Sequence, residues 1–112
     1  TLVPQGTFIE RIRCGGTGLG GVLTPTGVGT VVADGKQEIT VGGKTYLLET
    51  PLRAEVAVVK AWKADTAGNF NPMMAMAADF VIAEVEEIVE AGEIDPDLVC
   101  TPGACVDMVV KL

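Results

Sequence analysis

The sequence predicts an α/β domain with an open, partly parallel sheet, flanking short helices and a β-hairpin. Three observations carry this reading. Val56-Ala57-Val58-Val59 and Phe80 to Val85 are apolar runs rich in β-branched residues, the pattern of strands buried on both faces of a parallel sheet. Between them Asn71-Pro72 starts a helix, with Asn71 as cap and Pro72 at the first helical position. Strand, helix and strand in that order are the signature of an α/β layer.

The elements follow in chain order. Leu2-Val3 reads as the end of a strand, closed by Pro4-Gln5-Gly6. Thr7 and Glu10 have capping-box spacing. Phe8, Ile9 and Ile12 share one face of a short helix over 7–14, which Gly15 and Gly16 stop. The stretch from Gly15 to Gly35 is loop-rich, with eight glycines and one proline. Residues 37–41 and 44–49 alternate around Gly42-Gly43, a hairpin with a two-residue primed turn. Trp62 follows the 56–59 strand. The helix over 73–78 ends at Asp79. The strand over 80–85 continues in extended form to Val89. Asp95-Pro96-Asp97 turns the chain into a last strand over 105–110. A chain of 112 residues fits one small domain, assigned to residues 1–112.

Composition excludes several function classes. The formal charge of −7 repels nucleic acid and anionic membrane surfaces, so neither is expected as a partner. A phosphate site would need help from Arg11, Arg13, Lys60 or Lys63, or from backbone N–H groups. Histidine is absent, which removes histidine triads and histidine bases. Cys14, Cys100 and Cys105 form no disulfide framework and lack the further ligands a zinc site needs, so they are expected reduced and no metal is expected. No charged-then-apolar leader opens the sequence, and the most apolar stretch, Met73 to Ala83, is too short to span a bilayer. The expected location is cytoplasmic.

Each motif has a plain reading beside the functional one. Gly16-Thr17-Gly18-Leu19-Gly20-Gly21 matches the dinucleotide G-x-G-x-x-G pattern, but that motif needs a strand before it and a helix after it. Here a helix precedes, so close approach to a ligand or a neighbouring chain is the better reading. Glu84, Glu86, Glu87 and Glu90 could form an acid–base cluster, with a solvated or interface face as the plainer account. Trp62 with Met73, Met74 and Met76 could line an acyl pocket, or simply pack a core. Gln5 lies past a strand end and before a helix, the edge at which open α/β sheets bind ligands. Its carboxamide could donate to a thioester or carboxylate oxygen, or bond the local turn.

Several segments together go further. Val3-Pro4-Gln5-Gly6-Thr7 with Glu10-Arg11-Ile12-Arg13 and Gly15-Gly16, Leu23-Thr24-Pro25-Thr26-Gly27 with Gly29-Thr30, Ala61-Trp62-Lys63-Ala64-Asp65 with Gly68-Asn69, then Phe70-Asn71-Pro72, the 84–89 stretch and Thr101-Pro102-Gly103 stand in one characteristic order. In this the chain resembles the α subunit of family I CoA-transferases, the acetate-, butyrate- and 3-oxoacid-specific enzymes. The resemblance implies a NagB/RpiA/CoA-transferase-like fold and a chain that works in a hetero-oligomer. It implies transfer of coenzyme A from a short-chain acyl-CoA, such as acetoacetyl-CoA, to a free carboxylate such as acetate. In that family the thioester is attacked by a glutamate of the partner β subunit, which becomes a glutamyl-CoA thioester. No catalytic residue is therefore expected here. Gln5 and Gly6 would lie near the thioester. Gly15, Gly16, Gly18, Thr24, Pro25, Thr26, Gly27 and Asn71 would form a cleft or interface loop. Coenzyme A would be a substrate, with no permanently bound cofactor.

Two departures from the family pattern lead to further expectations. The family's α subunit is about twice this length, so the chain is expected to be its C-terminal half. Family members also carry additional residues where this chain passes from Asn69 to Phe70, which places an internal gap near 69–70. A non-catalytic structural or interaction fragment of the same complex is the alternative function.

Overall fold

A computed structural model describes residues 2–65, 73–99 and 102–112. The chain divides into two compact units, Thr1–Leu52 and Arg53–Leu112.

The first unit opens with helix α1, Gln5–Thr17. It begins two residues before the expected start and ends three after the expected end. The capping box does not form. Pro4 is the cap residue, and its carbonyl accepts the Phe8 N–H at 2.9 Å, which starts the helix upstream of Thr7. Gly15 and Gly16 do not stop α1. Gly15 is buried and helical, and α1 runs on through both glycines. The stop is Gly18, left-handed at φ 73°, where the Gly18 and Leu19 N–H groups both reach the Cys14 carbonyl. Leu2 and Val3 belong to no strand.

Strand β1, Val22–Thr24, lies antiparallel to β3, Lys44–Glu49, which pairs on its other side with β2, Glu38–Val41. The hairpin is as expected: Val41 faces Lys44, and Gly42 and Gly43 both have positive φ, the requirement of a type I′ turn. Gly21 approaches β3 so closely that a side chain there would meet the Glu49 carbonyl. The Arg11 carbonyl accepts the Leu52 N–H at 2.9 Å, fastening the chain after β3 to the helix.

The second unit is a three-stranded parallel sheet in the order β4-β5-β6, with β4 at Ala54–Asp65, β5 at Ala78–Val89 and β6 at Met108–Lys111. The parallel pairing and the extension of β5 to Val89 match the sequence reading. Burial on both faces does not: Val59 is buried, while Val56 and Val58 are exposed. Trp62 lies inside β4 rather than after it. The expected helix over 73–78 is a 3₁₀ segment, Met73–Ala77, because β5 already begins at Ala78. The core joins Val59, Ala64, Val81, Ala83 and Val85 to Ala75 of that segment. The last strand starts three residues late. Gly103–Cys105 is a 3₁₀ turn, and the Asp107 carboxylate takes the Val81 N–H at 2.8 Å before the β5–β6 ladder begins. Asp95-Pro96-Asp97 does turn, as a 3₁₀ start capped by the Asp95 side chain.

Candidate functional site

In the first unit the N-terminal turns of α1 and strand β1 enclose a cleft of about 580 Å³. Pro4, Gln5, Gly6, Thr7, Ile9 and Glu10 form one wall. Val22, Leu23, Thr24 and Thr26 form the other. Gln5 is the first residue of α1, and Pro4 makes no side-chain cap. The first N–H groups of a helix have no intrahelical partner. Those of Gln5, Gly6 and Thr7 therefore sit at the positive end of a 13-residue helix beside the cleft. Gln5 is exposed, and among the described residues its carboxamide has no hydrogen-bond partner. The plain reading, a turn glutamine tied to local backbone, is not what forms.

Opposite Gln5, the Thr26 N–H donates to the Thr24 hydroxyl oxygen at 3.2 Å, a local turn that fixes the Thr24 side chain. The turn continues through Thr30, whose hydroxyl donates to the Gly27 carbonyl at 2.7 Å and accepts the Val32 N–H at 3.2 Å. Gly27 has φ 93°, and a side chain on it would collide with Val32. Its role is close packing behind the cleft.

One carboxylate faces this space. Glu10 lines the cleft, and its Oε2 accepts from Arg13 Nε at 2.9 Å and Nη2 at 2.6 Å. That hydrogen bond, with the charge of Glu10, holds the Arg13 guanidinium above its ordinary value, so it stays cationic. Arg11 turns the other way. Its Nε donates to the Thr50 carbonyl at 2.8 Å and lies 3.9 Å from the buried Glu49 carboxylate, which also accepts from Lys36 Nζ at 2.6 Å. Both arginines named for phosphate contact are thus engaged within the fold. So are Lys60 and Lys63, which pair with Glu86 and Glu87. That pairing fits the plain reading of the carboxylate run as a solvated face.

The cleft brings together Gln5, Gly6, Thr24 and Thr26 from the predicted set. Pro25 and Gly27 stand in the adjoining turn without lining it. Gly15, Gly16 and Gly18 are at the opposite end of α1. Asn71 lies outside the described residues. Sequence reasoning missed Pro4, Thr7, Ile9, Glu10, Val22 and Leu23 as cleft residues. Thr7 and Glu10 had been given to the cap, and an earlier helix start was the signal that would have freed them. Trp62, Met74 and Met76 are exposed, so core packing does not account for them. Cys14 and Cys105 are free thiols. Among the described residues no group of three or more candidate ligands is placed to hold a metal, and no helix is long and apolar enough to cross a membrane.

A family model described as Coenzyme A transferase matches residues 1–112. The chain is 57% identical over 118 residues to the alpha subunit of the acetate CoA-transferase of Escherichia coli (strain K12), covering 97% of this chain and 54% of that protein. It is 49% identical over 119 residues to the alpha subunit of the acetoacetyl-CoA:acetate/butyrate CoA transferase of Clostridium acetobutylicum, covering 98% and 55%. The fold matches an acyl-CoA transferase from E. coli O157:H7, solved as a thioester complex with CoA, at a TM-score of 0.86 and 21% identity. That match covers 97% of this chain and 27% of the other. The chain spans about half the length of the curated relatives it matches.

Proposed function

The chain belongs to the coenzyme A transferase family, and from that premise we propose that it supplies part of the α subunit of a short-chain CoA-transferase. The single observation that carries the reading is the cleft: Gln5, whose carboxamide has no partner among the described residues, lines it together with Thr26 and Thr24, the latter's hydroxyl accepting the Thr26 N–H, beside a helix N-terminus without a side-chain cap. Such a set of donors suits an oxygen that gains negative charge as a thioester carbonyl is attacked.

In the proposed reaction a glutamate of a β chain adds to the thioester carbonyl and expels CoA thiolate, leaving a mixed anhydride. The thiolate then attacks the glutamyl carbonyl and releases the first carboxylate, leaving a glutamyl-CoA thioester. A second carboxylate reverses the sequence and departs as the new acyl-CoA. This chain provides no nucleophile. Gln5 and Gly6 steady the oxygen through carboxamide and backbone N–H. Both relatives are named as alpha subunits, which supports a β-subunit partner here, with acyl-CoA and short-chain carboxylates as ligands. The proposed setting is the cytoplasm. The 118-residue span of the E. coli match exceeds the 112 residues present, which supports residues missing from within this chain, as proposed near 69–70.

The test is exchange of labelled acetate with acetoacetyl-CoA by the chain restored to its relatives' length and combined with a β subunit. Exchange is expected and should collapse in Gln5→Ala. No exchange by the intact pair would defeat the reading. The half-length match favours a second reading, a non-catalytic structural fragment of the complex. Titration of this chain with CoA in a calorimeter separates the two: heat of binding refutes the second.

A further inference from the structure

A cleft between a helix and a strand keeps its width only if something fixes the two elements to a common support. In the first unit both walls are tied to the end of β3 and the residues just after it. The strand wall is tied by the β1–β3 ladder, in which Val22 pairs with Glu49 and Thr24 with Leu47. Gly21, just before β1, packs so closely on the same place that a Cβ there would come within 2.7 Å of the Glu49 carbonyl. The helix wall is tied through Arg11. Its carbonyl accepts the Leu52 N–H at 2.9 Å, its Nε donates to the Thr50 carbonyl at 2.8 Å, and its Nη2 donates to the Thr50 hydroxyl at 3.4 Å. Its Nε also lies 3.9 Å from Oε2 of Glu49, a buried carboxylate.

Arg11 does not line the cleft. It follows the wall residue Glu10 and stands fewer than two turns along α1 from Gln5, so a regular helix carries its position to the cleft. A buried carboxylate is costly unless cations compensate it. Glu49 has two, Arg11 and Lys36, and they join different things. The Lys36 ammonium, from the chain before β2, takes the other carboxylate oxygen at 2.6 Å. Arg11 joins Glu49 and Thr50 to the helix, a two-point attachment that suits a planar guanidinium and not an ammonium. We propose that Arg11, held by Glu49 and Thr50, is a positioning residue: it fixes the helix wall against the strand wall, and so fixes where Gln5 stands opposite Thr24. The inference rests on the reading of the cleft given above. It adds to that reading a residue that touches no substrate.

The test is steady-state exchange by the chain restored to its relatives' length and combined with a β subunit, comparing Gln5→Ala, Arg11→Met and the double variant. Misplaced donors weaken the transition state more than the bound substrate. Arg11→Met should therefore lower kcat about 10-fold or more and leave KM for the acyl-CoA within about twofold. On the Gln5→Ala background it should cost about threefold at most, because the main group it positions is gone. Lys36→Met is the control. It withdraws the other cation from Glu49 without touching α1, so it should lower the urea midpoint and leave kcat as it was. Multiplication of the two single effects in the double variant overturns the inference. So does an equal fall in kcat with Lys36→Met, which would make the network a matter of stability alone. If Gln5→Ala itself leaves exchange intact, the reading of the cleft falls first, so the two failures are distinguishable. If Arg11→Met does not assemble, Arg11→Lys takes its place: it keeps a cation beside Glu49 without the fork. It should show a smaller loss confined to kcat, with the same non-additivity, and multiplication there overturns the inference equally.

Discussion

The two units treat polarity in opposite ways. The first buries polar groups and satisfies them. Glu49 is 2% exposed and receives Lys36, with Arg11 nearby; no described buried side-chain nitrogen or oxygen lacks a partner. The second buries alanines and valines, Ala64, Ala75, Ala83, Val59, Val81 and Val85, and leaves the aromatic rings of Trp62 and Phe80 outside. A unit that has met its polar requirements can spare a free carboxamide at a cleft. Chemistry is accordingly sought in the first unit.

Substitutions can break or sharpen that contrast. The largest effect expected is Gln5→Ala, which should reduce acetate exchange by the complete enzyme by roughly 100-fold or more, as losing one oxyanion donor does. Because Gln5 is exposed, the urea midpoint should stay unchanged. Lys36→Met should cost about 2–3 kcal/mol in a urea titration. That is somewhat less than a fully buried pair, since the Lys36 side chain is 26% exposed. If it proves neutral, the first unit does not depend on its buried charge. Val85→Ala, at a fully buried site of the second unit, should cost roughly 2 kcal/mol from two lost methyl groups and the space they leave. Gly27→Ala should cost about 2 kcal/mol, because a positive φ and Val32 both oppose a side chain. Gly29→Ala, also at positive φ but facing open space, should cost about 1 kcal/mol. Smallest of all, Val58→Ser in this chain should change stability by less than about 0.5 kcal/mol, against the size of its side chain.

Much of this was legible in the residues. Alternation around Gly42-Gly43 marked a hairpin because only glycine takes two consecutive positive φ angles easily. The β-branched runs at 56–59 and 80–85 marked parallel strands. Element ends were less readable, because tertiary partners decide them. The Pro4 carbonyl moved the helix start, and α1 continued through Gly15 and Gly16 where glycine ordinarily interrupts. An Asp107 side chain standing in for backbone delayed β6. Apolar runs also mark a strand, but not which of its faces the fold buries, which is why Val58 was misplaced. At the cleft, Gln5, Gly6, Thr24 and Thr26 followed from motif resemblance together with position at an element edge. Thr7 and Glu10 did not, because capping-box spacing offered them a competing local role.

One feature of the second unit bears on how the chain behaves in a cell. Strand β4 runs 12 residues along the margin of its sheet, paired on one side to β5 and, among the described strands, to nothing on the other. Its outer row of amide and carbonyl groups is a template for any extended segment that drifts past. Lys60 and Lys63 place charge on that margin at its C-terminal end, whereas Val56 to Val59 have none. Pairing with another extended segment, and with it aggregation, would begin along this stretch of β4.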